Sequence, residues 1–205
     1  EELITRNSSV VSSFALLRLS VSRGIGSRGY LPLVTTAPTV TAQLTPLPAM
    51  DNLAPATLWQ SAITKPSLAS LPVQHKLMQG VNSTLARMEA AEQGCEEALM
   101  LNDAGEICEA SSANIFWRDA AGIIHTPALE CGLLAGISRR LLLAYWGDKI
   151  KEGHYTLEDL RHAQSVIITN AITGARAVQS LQPLGLRWND DTLAKEVVEW
   201  WKIAP

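Results

Sequence analysis

No apolar run in this chain approaches the ~18 or more residues of a membrane span. Basic residues are not in excess. Seventeen Lys and Arg face twenty Asp and Glu, a net charge of −3, and nothing resembles the footprint that nucleic acid requires. An anionic ligand must therefore be held by local donors and not by the global field. Cysteine is scarce: Cys95, Cys108 and Cys131 are the complete set. An odd number without close spacing argues against a disulfide framework and against a metal site such as zinc. A reducing cytoplasm is the simplest reading. Cys108, beside Glu109, reads either as a nucleophile or, more commonly, as a small residue packed in a strand. Charged residues are also few, at 18% against 47% apolar, which suits a globular protein. At 205 residues the chain can bury a substantial core, in one domain or one and a fraction. There is no internal repeat or low-complexity tract, and the first residues do not read as a signal peptide.

The first residues, Glu1 to Thr5, read as the end of a helix already under way, as if the chain opens mid-domain. Ala15 to Ser22 alternates like a strand. It runs into Arg23-Gly24-Ile25-Gly26-Ser27-Arg28-Gly29-Tyr30, where three glycines let the backbone turn sharply or approach a ligand. Thr35 to Leu44 reads as a strand, and Thr45 to Pro55, with three prolines, as a linker. The expected division is 1–50 for a small domain with its linker and 51–205 for a larger one. Beyond it lie a strand at Thr57 to Ile63 and a helix from about Lys76 to Gln93. Leu77, Val81, Leu85 and Met88 give that helix an apolar stripe. Short strands follow at Glu97 to Leu101, Glu106 to Ala110, Asn114 to Arg118 and Ile123 to His125. Ser138 to Trp146 reads as a helix, and Thr156-Leu157-Glu158-Asp159 resembles a capping box. Strands at Ser165 to Thr169 and Ala177 to Leu181 precede a closing helix, Asp190 to Trp201. The fold class expected is α+β.

Four weak signals stand in order along this pattern. Lys76, at a helix start, reads by itself as a solvated lysine or as an amine of lowered pKa for covalent chemistry. Glu109 shares a strand face with Ile107 if alternation holds, and a buried carboxylate needs a partner. That partner is an arginine such as Arg118, or a protonated ring nitrogen. Gly132 to Arg139 is a glycine-bearing loop opening a helix. It reads as an ordinary cap or as an anion cradle of free N–H groups with the Ser138 hydroxyl. Thr169-Asn170-Ala171-Ile172-Thr173-Gly174 follows an apolar strand and supplies further donors or makes a plain turn.

Taken together these segments resemble the class IV, pyridoxal-phosphate-dependent aminotransferase family. The resemblance covers nearly the whole chain and is strongest from Gln74 to Leu181. Arg23 to Tyr30, Ala113-Asn114-Ile115-Phe116-Trp117 and Asn170-Ala171 resemble the lyase branch of that family, the 4-amino-4-deoxychorismate lyases. The resemblance implies a two-domain fold-type IV enzyme with its small N-terminal domain incomplete, a homodimer acting on a small molecule, and pyridoxal 5'-phosphate as cofactor. It implies that Lys76 is the Schiff-base lysine and that Glu109 pairs with the pyridine nitrogen. Leu134 packs on the ring. Ile137, Ser138, Asn170 and Ala171 hold the phosphate, and Tyr30 lines the substrate pocket. Leu77-Met78-Gln79 departs from the His-Leu-Asn type of run that usually follows the lysine in the lyases. Two other functions fit the same pattern: a branched-chain or D-amino-acid aminotransferase of the same family, and a non-catalytic binding protein on this fold.

Overall fold

The computed structural model describes residues 2–7, 14–26, 28–31, 33–35, 37–47 and 53–203. The chain divides into two compact units, Glu1–Asn52 and Leu53–Pro205. The first holds a short helix α1 (Glu2–Arg6) and two long antiparallel strands, β1 (Phe14–Ser22) and β2 (Thr39–Leu47), paired along their full length from Phe14↔Leu47 to Ser22↔Thr39. Strand β2 reaches into the stretch read as a linker, and 48–52 lie outside the described residues. Between β1 and β2 the chain turns at Gly24, where φ is +88° and a Cβ would meet the Ala37 carbonyl oxygen at 2.0 Å. Only glycine fits there.

The second unit is a nine-stranded mixed sheet with helices against it. Its strands are β3 (Ala56–Gln60), β4 (Glu97–Leu101), β5 (Ile107–Ala110), β6 (Asn114–Asp119), β7 (Ile124–Pro127), β8 (Ile150–Gly153), β9 (Ala163–Asn170), β10 (Gly174–Gln182) and β11 (Leu186–Arg187). They lie in the order β5-β4-β3-β10-β9-β6-β7-β8, with β11 on β10. Strand β3 runs parallel to both neighbours, and β7 runs parallel to β8. A turn at 111–113, closed by Ala110 N–H donating to Ala113 O, carries the chain from β5, at one end of this order, to β6, well inside it.

Period-2 alternation divides the apolar side chains between the two faces. Leu58, Leu99, Ile115, Trp117, Val166, Ile168 and Leu181 form the main core on one face. Phe116 and Ile167, pointing the other way, pack with Leu142 and Trp146 of α3 (Ile137–Trp146) and Leu193 and Val197 of α5 (Thr192–Ile203). Ala98 and Met100 pack on α2 (Val81–Glu92). The short helix α4 (Leu157–Arg161) opens with the expected capping box between Thr156 and Asp159. No described helix is long and apolar enough to cross a membrane.

Two local expectations fail for physical reasons. Helix α2 starts at Val81, not at Lys76. Gly80 takes the N-cap, and the Asn82 amide reaches the Thr64 carbonyl at 2.8 Å, which anchors the first turn. The residues before it follow an irregular path. The predicted stripe also faces outward. Val81, Leu85 and Met88 are 60%, 46% and 55% exposed, while the side chains buried against β4 are Ala86 and Ala90. Small residues bring this helix close to the sheet. Glu89 fixes its rotation by accepting from Trp59 Nε1, Ser61 Oγ and the Ala62 N–H. Burial works to raise the pKa of Glu89, and those three hydrogen bonds more than offset it, so the group lies below the usual glutamate value.

Candidate active site

Strand β5 carries Glu109, and its pairing with β4 is irregular. Leu99 opposes Ala110, Met100 opposes Glu109, yet Leu101 opposes Ile107, so Cys108 is an extra residue in the ladder. A bulge of this kind re-aims the side chains on either side of it. Ile107 and Ala110 join the main core with Leu99 and Leu101. Glu109 instead lies opposite Met100, whose side chain packs against α2. Simple alternation placed Ile107 and Glu109 on one face, and the bulge separates them. Cys108 turns to Cys131 and Leu133. Its thiol donates to the Cys131 carbonyl at 2.8 Å, and burial, then the neighbouring Cys131, pushes its pKa far up. It is a packed residue and not a thiolate nucleophile.

Glu109 is buried, and its partner is not Arg118. That guanidinium pairs with Glu196 on α5. The cation on Glu109 is Lys65, whose Nζ donates to Oε1 at 2.7 Å, with both side chains below a tenth exposed. The other oxygen, Oε2, accepts from Asn114 Nδ2 at 3.0 Å. Asn114 also donates to the Leu134 carbonyl at 2.9 Å, so one amide ties the carboxylate to the loop before α3. Each Glu109 oxygen accepts one bond here and can accept another. Lys65 is itself placed by its backbone N–H, which donates to the Leu101 carbonyl at 2.9 Å.

The loop from Gly132 leads into the N-terminus of α3. Gly136, the N-cap, has no room for a Cβ, which would lie 2.2 Å from Asn114 Oδ1. Ile137 is exposed and Ser138 buried in the first turn, where helix N–H groups lack intrahelical acceptors. Leu134 is half-buried beside them. Across the sheet, Asn114 pairs with Thr169 at the end of β9. Thr169 Oγ1 is buried with no hydrogen-bond partner among the described residues. The following loop is folded by Asn170, whose Oδ1 accepts from the N–H groups of Ile172 and Thr173 and from Thr173 Oγ1. Its Nδ2 donates to Ser112 O at 3.3 Å. Ala171 is exposed.

Lys76 does not touch Glu109. It is exposed, in the irregular segment ahead of α2. That segment still passes the site, because the Ala135 N–H donates to the Gln74 carbonyl at 3.1 Å, two residues before Lys76. Tyr30 lies in the first unit and is fully exposed. Sequence reasoning missed Lys65, Asn114 as a ligand of Glu109, and Thr169. A lysine followed by proline carries no signal in its own spacing. Asn114 stands out in the sequence only as part of the Ala113 to Trp117 motif.

A buried carboxylate held by a cation, a glycine-opened helix N-terminus and a buried hydroxyl with no partner among the described residues lie on adjoining segments of one mixed sheet. The sequence pattern of the family described as amino-transferase class IV matches residues 1–181, and the chain belongs to that family. The cofactor of the family is pyridoxal 5'-phosphate. Among curated proteins, the chain is 30% identical over 176 residues to an aminodeoxychorismate lyase from Vibrio harveyi, covering 80% of this chain and 62% of that protein. It is 31% identical over 166 residues to a putative branched-chain-amino-acid aminotransferase from Methanocaldococcus jannaschii, covering 76% of this chain and 54% of that one. The chain thus spans less than two thirds of the length of these relatives. An aminotransferase from Brucella abortus solved with bound pyridoxal phosphate shares the fold, with a TM-score of 0.81 and 21% identity over 98% of this chain and 73% of that one.

The residues present fit that cofactor. Glu109 keeps lone pairs for a ring N–H, and no described residue bonds the Thr169 hydroxyl. The α3 N-terminus offers N–H groups and a positive dipole end to a phosphate.

Proposed function

We propose that the protein is a pyridoxal-phosphate-dependent lyase that converts 4-amino-4-deoxychorismate to 4-aminobenzoate and pyruvate, a step of folate synthesis. The buried Glu109 carboxylate, oriented by Lys65 and Asn114, carries this reading. Bound pyridoxal phosphate supplies an aldehyde that captures the substrate amine and a cationic ring that takes up an electron pair.

The chain's own residues do the rest. Glu109 would face the ring nitrogen and hold a proton there. The N–H groups of Ile137 and Ser138, with the Asn170–Ala171 turn, would bind the phosphate. Leu134 would pack against the ring.

Lys76 is assigned as the covalent lysine and proton carrier. In pyridoxal the ring nitrogen and the aldehyde carbon stand at opposite ends of the ring. A lysine in contact with Glu109 is therefore at the nitrogen end, which suits Lys65 to holding the carboxylate and leaves the aldehyde to Lys76. Once free, Lys76 Nζ takes the proton from the carbon bearing the substrate nitrogen and returns one as the enolpyruvyl group departs. Aromatisation of the remaining ring drives the cleavage.

A branched-chain or D-amino-acid aminotransferase is the second reading, supported by the similarity to the Methanocaldococcus protein. The lyase reading rests on Arg23 to Tyr30 and Asn170-Ala171. A lyase needs no amino acceptor. The holoenzyme should release 4-aminobenzoate and pyruvate in equal amounts over many turnovers with no keto acid added. Repeated turnover of leucine or D-alanine with 2-oxoglutarate, and none of the chorismate compound, would transfer the assignment to the aminotransferases.

The protein acts as a homodimer in this account, and in the cytoplasm, where its three buried thiols stay reduced. The outward stripe of α2, continued by the exposed Met78, supports self-association. An apolar helix face left in water favours a partner. Leu85→Glu should therefore shift the molar mass in light scattering from dimer toward monomer, while a dimer of unchanged mass would place the interface elsewhere.

A further inference from the structure

Away from Glu109, three chemically different side chains converge at the other end of β5. Glu106 precedes the strand, Cys131 ends a 3-10 turn (Leu129–Cys131), and His154 follows β8. One donor atom from each lies within 4.8 Å of the other two. His154 Nδ1 is 3.0 Å from Glu106 Oε1 and 3.7 Å from Cys131 Sγ. Tetrahedral zinc, with bonds of about 2.0 Å to N or O and about 2.3 Å to S, sets its ligand atoms roughly 3.3–3.6 Å apart. Both His154 distances lie within a few tenths of an ångström of that range, and Glu106 and Cys131 flank the imidazole within 4.8 Å of each other.

The backbone builds this convergence. Ala128 N–H donates to Gly153 O at 2.9 Å and Ile107 N–H to Tyr155 O at 2.7 Å. These bonds fix the residues on both sides of His154 against the Cys131 turn and the Glu106 strand. Asn102 completes the frame. Its Nδ2 donates to Glu106 Oε2 at 2.8 Å, and its Oδ1 accepts the Glu106 N–H at 2.9 Å. Such an outer bond orients a ligating carboxylate. Cys131 is buried, whereas the His154 side chain is 55% exposed, so the cluster opens to solvent on one side.

We propose that Glu106, Cys131 and His154 bind a single Zn²⁺ ion, with water in the fourth position, and that the ion clamps the loop after Cys131 onto the strand bearing Glu109. Thiolate, imidazole and carboxylate together suit zinc and exclude the hard cations, which take oxygen ligands. Binding converts the thiol to thiolate and releases one proton to solvent. Carboxylate, thiolate and neutral imidazole then balance the two positive charges. The ligands come from separate segments, which is why the cysteine spacing argues against a zinc site while the fold assembles one. The site lies apart from the phosphate cradle, and it does not depend on which reaction the protein catalyses.

Cobalt(II) tests it, as a spectroscopic stand-in for zinc. The full chain, tag-free and reduced, should take up one equivalent with a sulfur-to-cobalt charge-transfer band that added Zn²⁺ abolishes. Cys131→Ser should lose the band. His154→Ala, at an exposed position where the fold is secure, should bind at least ~10-fold more weakly. Cys95→Ser, packed instead beneath α2, should behave as the parent. Zinc should also raise the melting temperature of the parent and not that of His154→Ala. No band in the parent, a band that survives Cys131→Ser, or undiminished affinity in His154→Ala would each overturn the proposal.

Discussion

Lys76→Ala should lower turnover by about ten-thousand-fold or more, the scale seen when the group that both bonds and moves protons is removed. Lys76 is exposed and lies in no strand or helix. The variant should therefore fold and melt like the parent. It should still take up pyridoxal phosphate through the phosphate donors and Glu109, with the absorption of the free aldehyde and not of a lysine adduct. Lys65→Ala should behave differently. It leaves the Glu109 carboxylate buried without its cation, and breaking a buried pair costs about 3–5 kcal/mol. Its primary defect should appear as a lowered melting temperature and weakened cofactor binding, partly rescued in Lys65→Arg. If Lys65→Ala were stable and dead while Lys76→Ala were active, the roles of the two lysines would be exchanged.

Glu109→Gln carries the second large effect. An amide does not hold a proton on a ring nitrogen as a carboxylate does, and loss of one preorganised electrostatic group costs about 100- to 1000-fold in rate. A structural effect accompanies the catalytic one. The substitution leaves Lys65 charged, buried and without its counter-ion, so the single variant should also be destabilised. Pairing it with Lys65→Met removes both charges, and an apolar replacement of a buried pair is often close to neutral. The double variant should regain stability and stay slow. Rate measured beside melting temperature in the two variants separates the roles. Near-parental turnover in the double variant would show that Glu109 does not serve the ring nitrogen.

The site is partly legible in the sequence because some of its parts are local. Gly136 before an apolar-periodic run marks a helix N-terminus, and a strand with Glu109 inside it reads at once as a buried carboxylate in need of a partner. The partner could not be read. Lys65 reaches Glu109 across the sheet because β3 and β4 run parallel and its N–H bonds the Leu101 carbonyl, a long-range register with no local signature. The bulge at Cys108 is equally silent, and it alone overturns the inference that Glu109 points with Ile107. Most strands of the large unit fell near their expected places because β-branched alternation is a local signal. The rotation of α2 did not, since apolar periodicity predicts a face without saying what that face meets. There the alanines met the sheet and the larger side chains were left for another surface.

Reducing the holoenzyme with borohydride, which fixes the cofactor to whichever amine holds it, and mapping the labelled peptide tests the site directly. A phosphopyridoxyl group on Lys76 alone, with Lys65 unmodified, is the result expected. A label on Lys65 would contradict the account, because the amine bonded to the cofactor would then be the one that the structure seats on Glu109.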